Sequence, residues 1–314
     1  MKYVAARTKR KPLVAVVGPT AVGKSRLAEY LALHSTGEII GADSRQIYRY
    51  MDIGTAKPDA DERETVPHHL IDIIDPDEQF SLARFQELAY RTVEDILERG
   101  HLPFIVGGTG LYMRAVLEGW QTPGVSPDPE FRYNMEEKAR QDGGPDALYA
   151  ELVRMDPDAA DKIDRRNIRR VIRALEVLQT GSRFSQAGTR KTPPYDRYVI
   201  GLTAERDALY TIADRRVDAM LEQGLVREVE TLLEKGYGLE LPSMSGIGYR
   251  QIGMYLAGDI SLDEAIRRIK TATHRFIRHQ YAWFRLDDTT VHWYDVTKTE
   301  PADIMRDLAG FIEG

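Results

Sequence analysis

The sequence predicts an α/β fold, built on a parallel sheet with helices on both faces and interrupted by an all-helical insertion. Strand and helix patterns alternate between residues 13 and 112, which is typical of a parallel sheet with right-handed crossovers. Only helical patterns follow from 121 to 194, and a buried strand then resumes. A phosphate-loop pattern follows the first strand, so we expect a core of the phosphate-loop NTPase kind.

The composition is that of a globular protein without a membrane-spanning segment. Hydrophobic residues make up 42% of the 314 residues and charged residues 29%, as in an ordinary globular protein. There is no run of 18 apolar residues, so we expect no membrane partner and a cytoplasmic location. The absence of cysteine excludes disulfides and thiolate metal sites. If a metal is bound, we expect Mg²⁺ held by oxygen ligands.

The first element is the apolar strand 13–17, which leads into Gly18-Pro-Thr-Ala-Val-Gly-Lys24-Ser25 and then a helix to about Leu33. This segment fits the pattern G-x-x-x-x-G-K-[ST], whose backbone N–H groups converge on phosphate oxygens. Lys24 adds a positive charge, and the Ser25 hydroxyl can hold Mg²⁺. The predicted di- or triphosphate site comprises Gly18, Pro19, Thr20, Ala21, Val22, Gly23, Lys24 and Ser25.

Two further turns follow buried strands. Strand 38–41 leads to Asp43, which can act as a general base or orient Mg²⁺, with a helix cap as the alternative. Strand 103–106 leads to two glycines and Thr109, which allow close approach of a ligand to the backbone. Because the carboxyl ends of parallel strands share one edge of the sheet, the three turns predict a single site there.

The remaining segments complete the predicted core. The acidic residues between 52 and 64 are interpreted as solvated loop charge, and 243–251 as a glycine-rich contact loop. The other predicted elements are strands over 68–72, 198–202 and 291–296 and helices over 81–99, 207–223, 226–235 and 261–285.

The insertion carries a basic cluster. Residues 163–191 hold eight basic residues against two acidic ones, in a chain whose net charge is −6. On the helix that begins near Asn167, the apolar stripe leaves four arginines to project: Arg166, Arg169, Arg170 and Arg173. This cluster indicates a polyanion-binding surface, with an ordinary solvated face as the alternative.

The phosphate loop alone leaves the reaction open. Phosphoryl transfer needs an acidic residue at the end of an apolar strand, and the nearest candidate is Asp72. The same cradle can instead bind a diphosphate as a leaving group. The basic insertion favours a polyanionic partner over a small metabolite.

Eight sequence blocks in order resemble the tRNA dimethylallyltransferase family: GPTAVGKS (18–25), ADSRQIY (42–48), MDIGTAKP (51–58), HHLID (68–72), GGTGLY (107–112), RRVIRALEV (169–177), GIGYRQ (246–251) and THRFIRHQYAWFR (273–285). The resemblance implies transfer of a dimethylallyl group from dimethylallyl diphosphate to N6 of adenosine 37, next to the tRNA anticodon. It also implies release of diphosphate and a requirement for Mg²⁺, with 1–120 plus 195–314 as catalytic core and 121–194 binding the anticodon stem.

The resemblance also implies residue roles. Asp43, Thr109 and Arg216 would be catalytic, Asp43 as general base and Arg216 as a contact of the diphosphate, and Ser25 would hold the metal. The implied tRNA-binding residues are Asp43, Ser44, Arg45, Gln46, Thr109, Arg169, Arg170, Arg173, Gly246, Gly248, Tyr249, Arg250, Gln251, Arg275, Arg278 and Gln280.

The chain departs from the family pattern at two positions. Ile212 stands where the family often has an arginine, which is why Arg216 is chosen, and His274 also stands where arginine is expected. A prenyltransferase for free adenine nucleotides, a small-molecule kinase and a non-catalytic RNA-binding module are the alternatives. We expect a monomer.

Overall fold

The structure is a computed structural model that describes residues 11–121, 125, 127–186, 190–193 and 195–313. The chain divides into two compact units, drawn from Met1–Phe80, Gln86–Leu117 and Pro194–Gly314 and from Ser81–Phe85 and Glu118–Pro193. The predicted boundaries at 120/121 and 194/195 stay predictions, because residues 122–124 and 194 lie outside the described residues.

The first unit contains a six-stranded sheet in the order β3-β2-β4-β1-β5-β6, with every neighbouring pair parallel. This confirms the predicted fold class. The third strand is shorter than predicted and ends before Asp72, which turns away at φ 56°. The strands are β1 Pro12–Val17, β2 Gly37–Gly41, β3 His68–His69, β4 Leu102–Val106, β5 Asp196–Thr203 and β6 His292–Asp295.

Thirteen helices lie in the described residues: α1 Lys24–Ser35, α2 Ala60–Thr65, α3 Leu82–Glu98, α4 Gly110–Glu118, α5 Pro129–Arg140, α6 Gly144–Met155, α7 Pro157–Ala160, α8 Ile168–Gln179, α9 Arg206–Glu222, α10 Leu225–Glu234, α11 Tyr249–Leu256, α12 Leu262–Gln280 and α13 Pro301–Glu313.

Four of these helices were not predicted: α2, α4, α11 and α13. The acidic stretch interpreted as loop charge forms α2, because Asp59 accepts a hydrogen bond from the Glu62 N–H at 2.9 Å and Glu62 accepts one from the Asp59 N–H at 2.8 Å. The contact loop 243–251 ends in the first turn of α11. Helix α12 ends at Gln280, five residues earlier than predicted.

The carboxyl edge of the sheet is drawn together by backbone contacts. The Ala42 N–H donates to the Val106 carbonyl at 2.7 Å, and the Thr109 N–H donates to the Ala42 carbonyl at 3.2 Å. A β-carbon on Gly107 would collide with that same Ala42 carbonyl. Glycine is therefore required for the turns after β2 and β4 to approach this closely.

The second unit packs α5 to α8 around an apolar core that includes Leu148, Leu152 and Leu175. Glu176 is buried in it and accepts hydrogen bonds from the Asp128 N–H at 2.7 Å and from Arg132 at 2.8 Å. These partners lower the pKa of Glu176 against the opposing effect of burial. The described residues of this unit form helices and turns, apart from a single bridge between Trp120 and Arg190.

Candidate functional site

The three predicted turns meet at one cavity of about 390 Å³ in the first unit. Thr20 of the phosphate loop, Asp43 after β2 and Thr109 after β4 all line it. Helices α9 and α12 close the opposite side, where Arg216 and Gln280 lie. The carboxyl edge of the sheet thus brings together the residues predicted for phosphate binding and for proton transfer.

Asp43 and Thr109 are held by hydrogen bonds within the turns. The Thr109 hydroxyl accepts from the Ser44 N–H at 2.9 Å and donates to the Ser44 hydroxyl at 3.2 Å. One oxygen of Asp43 accepts from the Arg45 N–H at 2.8 Å. Its other oxygen faces Gly108, 4.0 Å from where a β-carbon would stand on that glycine. A carboxylate fixed in this way can accept a proton from a ligand in the cavity.

The phosphate loop has the geometry that its sequence predicts. Gly18 has φ 140° and Gly23 φ 91°, values that glycine adopts readily, whereas Ala21 has a strained φ of 65°. Helix α1 begins at Lys24, so its first backbone N–H groups lie at the loop. The Lys24 ammonium donates to the Pro19 carbonyl at 2.7 Å.

Two cations and one carboxylate set the charge of the site. Burial and, to a smaller extent, the nearby Arg216 together lower the pKa of Lys24 to about 7, against the opposing effect of Asp43. Burial also lowers the pKa of Arg216, again opposed by Asp43. Desolvated cations of this kind favour an anionic ligand, which restores their lost stabilisation.

Several of the residues predicted to bind tRNA have partners within the protein, among them Arg45, Tyr249 and Gln280. The Arg45 guanidinium donates to the carbonyls of Pro242 at 2.6 Å and Ser243 at 3.0 Å. Tyr249 is 1% exposed, and its hydroxyl donates to Glu228 at 2.7 Å. Gln280 is also buried, with backbone partners on both sides of the cavity.

Other predicted residues spread along the same edge. Ser44, Gly246 and Gly248 line the cavity, whereas the Gln46 amide donates to the carbonyls of Thr55 and Ala56 at 3.1 and 3.0 Å. Four more predicted residues lie in the first unit. Arg250 and Arg275 are exposed, and Gln251 accepts from the Gly248 N–H at 2.9 Å. Arg278 lines a separate pocket of about 620 Å³ and donates to the Tyr210 hydroxyl at 2.9 Å.

The two positions that depart from the family pattern lie on α9, which carries Ile212, and on α12, which carries His274. The Ile212 side chain is exposed. His274 stacks on Tyr210 with ring centroids 4.1 Å apart, and its Nε2 lies 2.8 Å from Asp214. His274 is thus held by α9 and does not line the main cavity.

In the second unit, the arginines on α8 and just before it divide into two groups. Arg173 pairs with Glu176 and donates to the Val125 carbonyl at 2.8 Å, so the expectation that it is free to project was wrong. Arg166 is exposed as expected and pairs with Asp164 at 2.9 Å. Arg169 and Arg170 are exposed and form no side-chain ion pair within the described residues. They keep their charge available to a polyanion.

The sequence reasoning missed the apolar wall of the cavity. Val217 and Met220 of α9, with Phe276 of α12 and Trp283, form much of it. Phe276 is 40% exposed and Trp283 37% exposed, large values for such side chains, yet their helical spacing resembles that of core residues. Gly54 also lines the cavity and was not predicted, although it lies in the segment 51–58 that resembles the family.

The described side chains contain no group of three or more histidine, aspartate or glutamate residues that could hold a metal. Asp72, the alternative acidic candidate, bonds to Lys57 at 2.6 Å and Arg63 at 2.8 Å. Ser25 is exposed in the first turn of α1 and suits an ion held mainly by phosphate oxygens and water. No helix in the described part of the chain is long and apolar enough to cross a membrane.

The fold and the cavity together define an α/β protein of the phosphate-loop class with a carboxylate opposite its phosphate cradle. The sequence model of the IPP transferase family matches residues 46–287. The tRNA dimethylallyltransferase of Thermomicrobium roseum is 53% identical over 291 residues, covering 92% of this chain and 88% of that protein. That of Roseiflexus sp. strain RS-1 is 56% identical over 275 residues, covering 87% and 90%.

Solved structures agree. The full-length tRNA isopentenylpyrophosphate transferase of Bacillus halodurans is 43% identical, covers 97% of both chains and superposes with a TM-score of 0.72. A eukaryotic dimethylallyltransferase acting on tRNA is 29% identical, covers 96% of this chain and 78% of that one, and has a TM-score of 0.80. The chain therefore belongs to the IPP transferase family.

Proposed function

We propose that this chain transfers a dimethylallyl group from dimethylallyl diphosphate to N6 of adenosine 37 in tRNA, and that it works in the cytoplasm as a monomer. One observation carries the proposal: Asp43 lines the same cavity as Thr20 and Ala21 of the phosphate loop and the apolar wall. A prenyl diphosphate needs an anion cradle and an apolar surface, and an attacking amine needs a proton acceptor.

In the proposed reaction, N6 of the adenine forms a bond to C1 of the allyl group while the C1–O bond to the diphosphate breaks. The electron pair of that bond leaves with the diphosphate oxygen. The N6 proton passes to Asp43, whose carboxylate is fixed by the Arg45 N–H. Thr109 and Ser44, linked to each other, lie beside Asp43 and would contact the target nucleotide.

The leaving diphosphate would be stabilised by the loop N–H groups, by Lys24 and by Arg216. Asp43 offsets one of the two positive charges of Lys24 and Arg216. The remaining positive charge is too small to neutralise a diphosphate ester. Mg²⁺ held by the Ser25 hydroxyl and the diphosphate would supply the missing positive charge.

The proposed tRNA contacts use both units. Arg169 and Arg170 on α8 would bind phosphates of the anticodon stem, and Arg275 together with Arg250 would add contacts from the first unit. The eukaryotic dimethylallyltransferase that this chain resembles acts on tRNA, which supports tRNA as the substrate. The target base must leave its stack to reach the cavity.

The test is transfer of label from radiolabelled dimethylallyl diphosphate to unmodified tRNA in the presence of Mg²⁺. We expect wild type to label tRNA at adenosine 37 and Asp43→Asn to lose at least a hundredfold in rate at saturating substrates. The isosteric amide keeps the shape of the cavity, so binding of the donor should persist. Labelling of free AMP, or consumption of ATP without labelled tRNA, would refute the proposal.

A further inference from the structure

One buried amide connects the phosphate loop to the turn that follows β4. Gln280, the last residue of α12, is 7% exposed. Its Oε1 accepts a hydrogen bond from the Thr20 N–H at 2.7 Å, and its Nε2 donates one to the Gly108 carbonyl at 3.0 Å. The two ends of one amide thus accept on one side and donate on the other, and the length of glutamine lets it reach both backbone groups.

The position of this amide is fixed by its surroundings. The next residue, Tyr281, shares a hydrogen bond with the Thr203 hydroxyl at 2.9 Å, which attaches the end of α12 to β5. Arg114 donates to the Trp283 carbonyl at 3.0 Å, which attaches the following turn to α4. Gln280 therefore cannot move far without displacing the end of the helix.

Gln280 also has little free space on the Gly108 side. A β-carbon on Gly108 would stand 2.6 Å from the Gln280 Nε2, so the glycine is needed for this contact. Gly108 precedes Thr109 and faces Asp43, the proposed base. Thr20 precedes the strained Ala21 in the phosphate loop. Gln280 thus links Thr20, which precedes the strained residue of the phosphate loop, to Gly108, which lies beside the proposed base Asp43.

We infer that Gln280 is a positioning residue that couples binding of the diphosphate to binding of the target nucleotide. A phosphate oxygen that approaches the Thr20 N–H competes with Oε1 for the same donor. Any shift of the amide is passed through Nε2 to the Gly108 carbonyl, and so to the turn that carries Thr109. Because coupling between two ligands is reciprocal, an ordered Thr109 turn also favours the binding-competent phosphate loop. This inference rests on the proposed function for the identity of the two ligands.

The test measures coupling, which a residue that merely fills space would not change. The dissociation constant of a thio analogue of dimethylallyl diphosphate, which transfers slowly, is measured with Mg²⁺ in the absence and presence of saturating tRNA. In wild type we expect the analogue to bind about fivefold more tightly with tRNA, the scale of one net hydrogen bond. Gln280→Met removes both hydrogen bonds at similar length, and Gln280→Glu keeps the acceptor but removes the donor.

We expect the ratio of the two dissociation constants to fall to about one in both variants, and to stay at the wild-type value in the control Gln223→Met, which alters an exposed residue at the end of α9. If Gln280→Met does not fold, the ratio measured for Gln280→Glu decides the test. A wild-type ratio in a folded Gln280 variant, or a ratio of one in wild type with both ligands bound, overturns the inference alone. If the wild-type protein binds neither the analogue nor tRNA, the proposed function is refuted together with the inference.

Discussion

Binding of the diphosphate should be coupled to protonation of Lys24. Burial and Arg216 lower the pKa of Lys24 to about 7, so in the free protein the side chain loses its charge as the pH rises through 7. An anion in the phosphate loop favours the charged form and raises this pKa. The affinity for diphosphate is therefore highest below pH 7 and falls above it. At higher pH the neutral Lys24 amine must first take up a proton before it can stabilise the anion.

The size of the effect follows from the pKa. At pH 8 about nine tenths of the free protein carries a neutral Lys24, so binding takes up about 0.9 protons per site. The dissociation constant should rise about tenfold between pH 6 and pH 8, equal to about 1.4 kcal/mol. The diphosphate also titrates near neutral pH, and this contribution is separated by a variant.

The assay is calorimetric titration with inorganic diphosphate and Mg²⁺ at pH 8 in two buffers of different ionisation enthalpy. The difference in observed heat gives the number of protons taken up. Lys24→Arg keeps a positive charge at every pH tested, so the wild type should take up about 0.9 protons more than this variant. Equal proton uptake by the two proteins would refute the assigned pKa and the role that Lys24 derives from it.

Three further predictions test the framework and the tRNA surface. Lys57→Met removes a buried cation from between two carboxylates and should lower the free energy of unfolding in urea by about 2–3 kcal/mol. Gly107→Ala places a methyl group against a backbone carbonyl and should abolish transfer or folding, whereas Gly310→Ala, with open space around it, should be neutral in both assays. Replacing Arg169 and Arg170 by serine should weaken tRNA binding and reduce the slope of log K against log salt by about 2 in filter binding; an unchanged slope would exclude phosphate contacts at both.

The sheet and the phosphate loop could be predicted because their signals are local. Buried strands such as 13–17 are continuous apolar runs, and the glycines of the loop are required by its own backbone angles. The missed helices had weaker local signals. Helix α2 has six residues and no buried side chain, so only its Asp59 capping box marked it. Helix α13 has an apolar stripe at Ile304 and Leu308, which could have been found.

The partners of polar side chains could not be predicted, because they depend on which distant segments meet. Arg45 and the carbonyl of Pro242 lie 197 positions apart in the chain. A sequence pattern shows that Arg45 stands beside a predicted base, and nothing in it distinguishes an arginine that faces tRNA from one that holds a loop. Arg173 shows the same limit on a smaller scale, since its partner Glu176 is buried three residues away.

Three polar side chains in and around the cavity, Arg45, Glu228 and Gln280, share one physical feature, which is that they bind backbone groups of the loops they hold. Arg45 donates to the Pro242 and Ser243 carbonyls. Glu228 accepts from the N–H groups of residues 52–54 at 2.7–3.1 Å, and Gln280 spans an N–H and a carbonyl. A tether to the backbone fixes the path of a loop whatever side chains the loop carries. Replacing a tethering side chain should therefore disturb the loop that it holds unless the new side chain keeps both its hydrogen-bonding groups and its length.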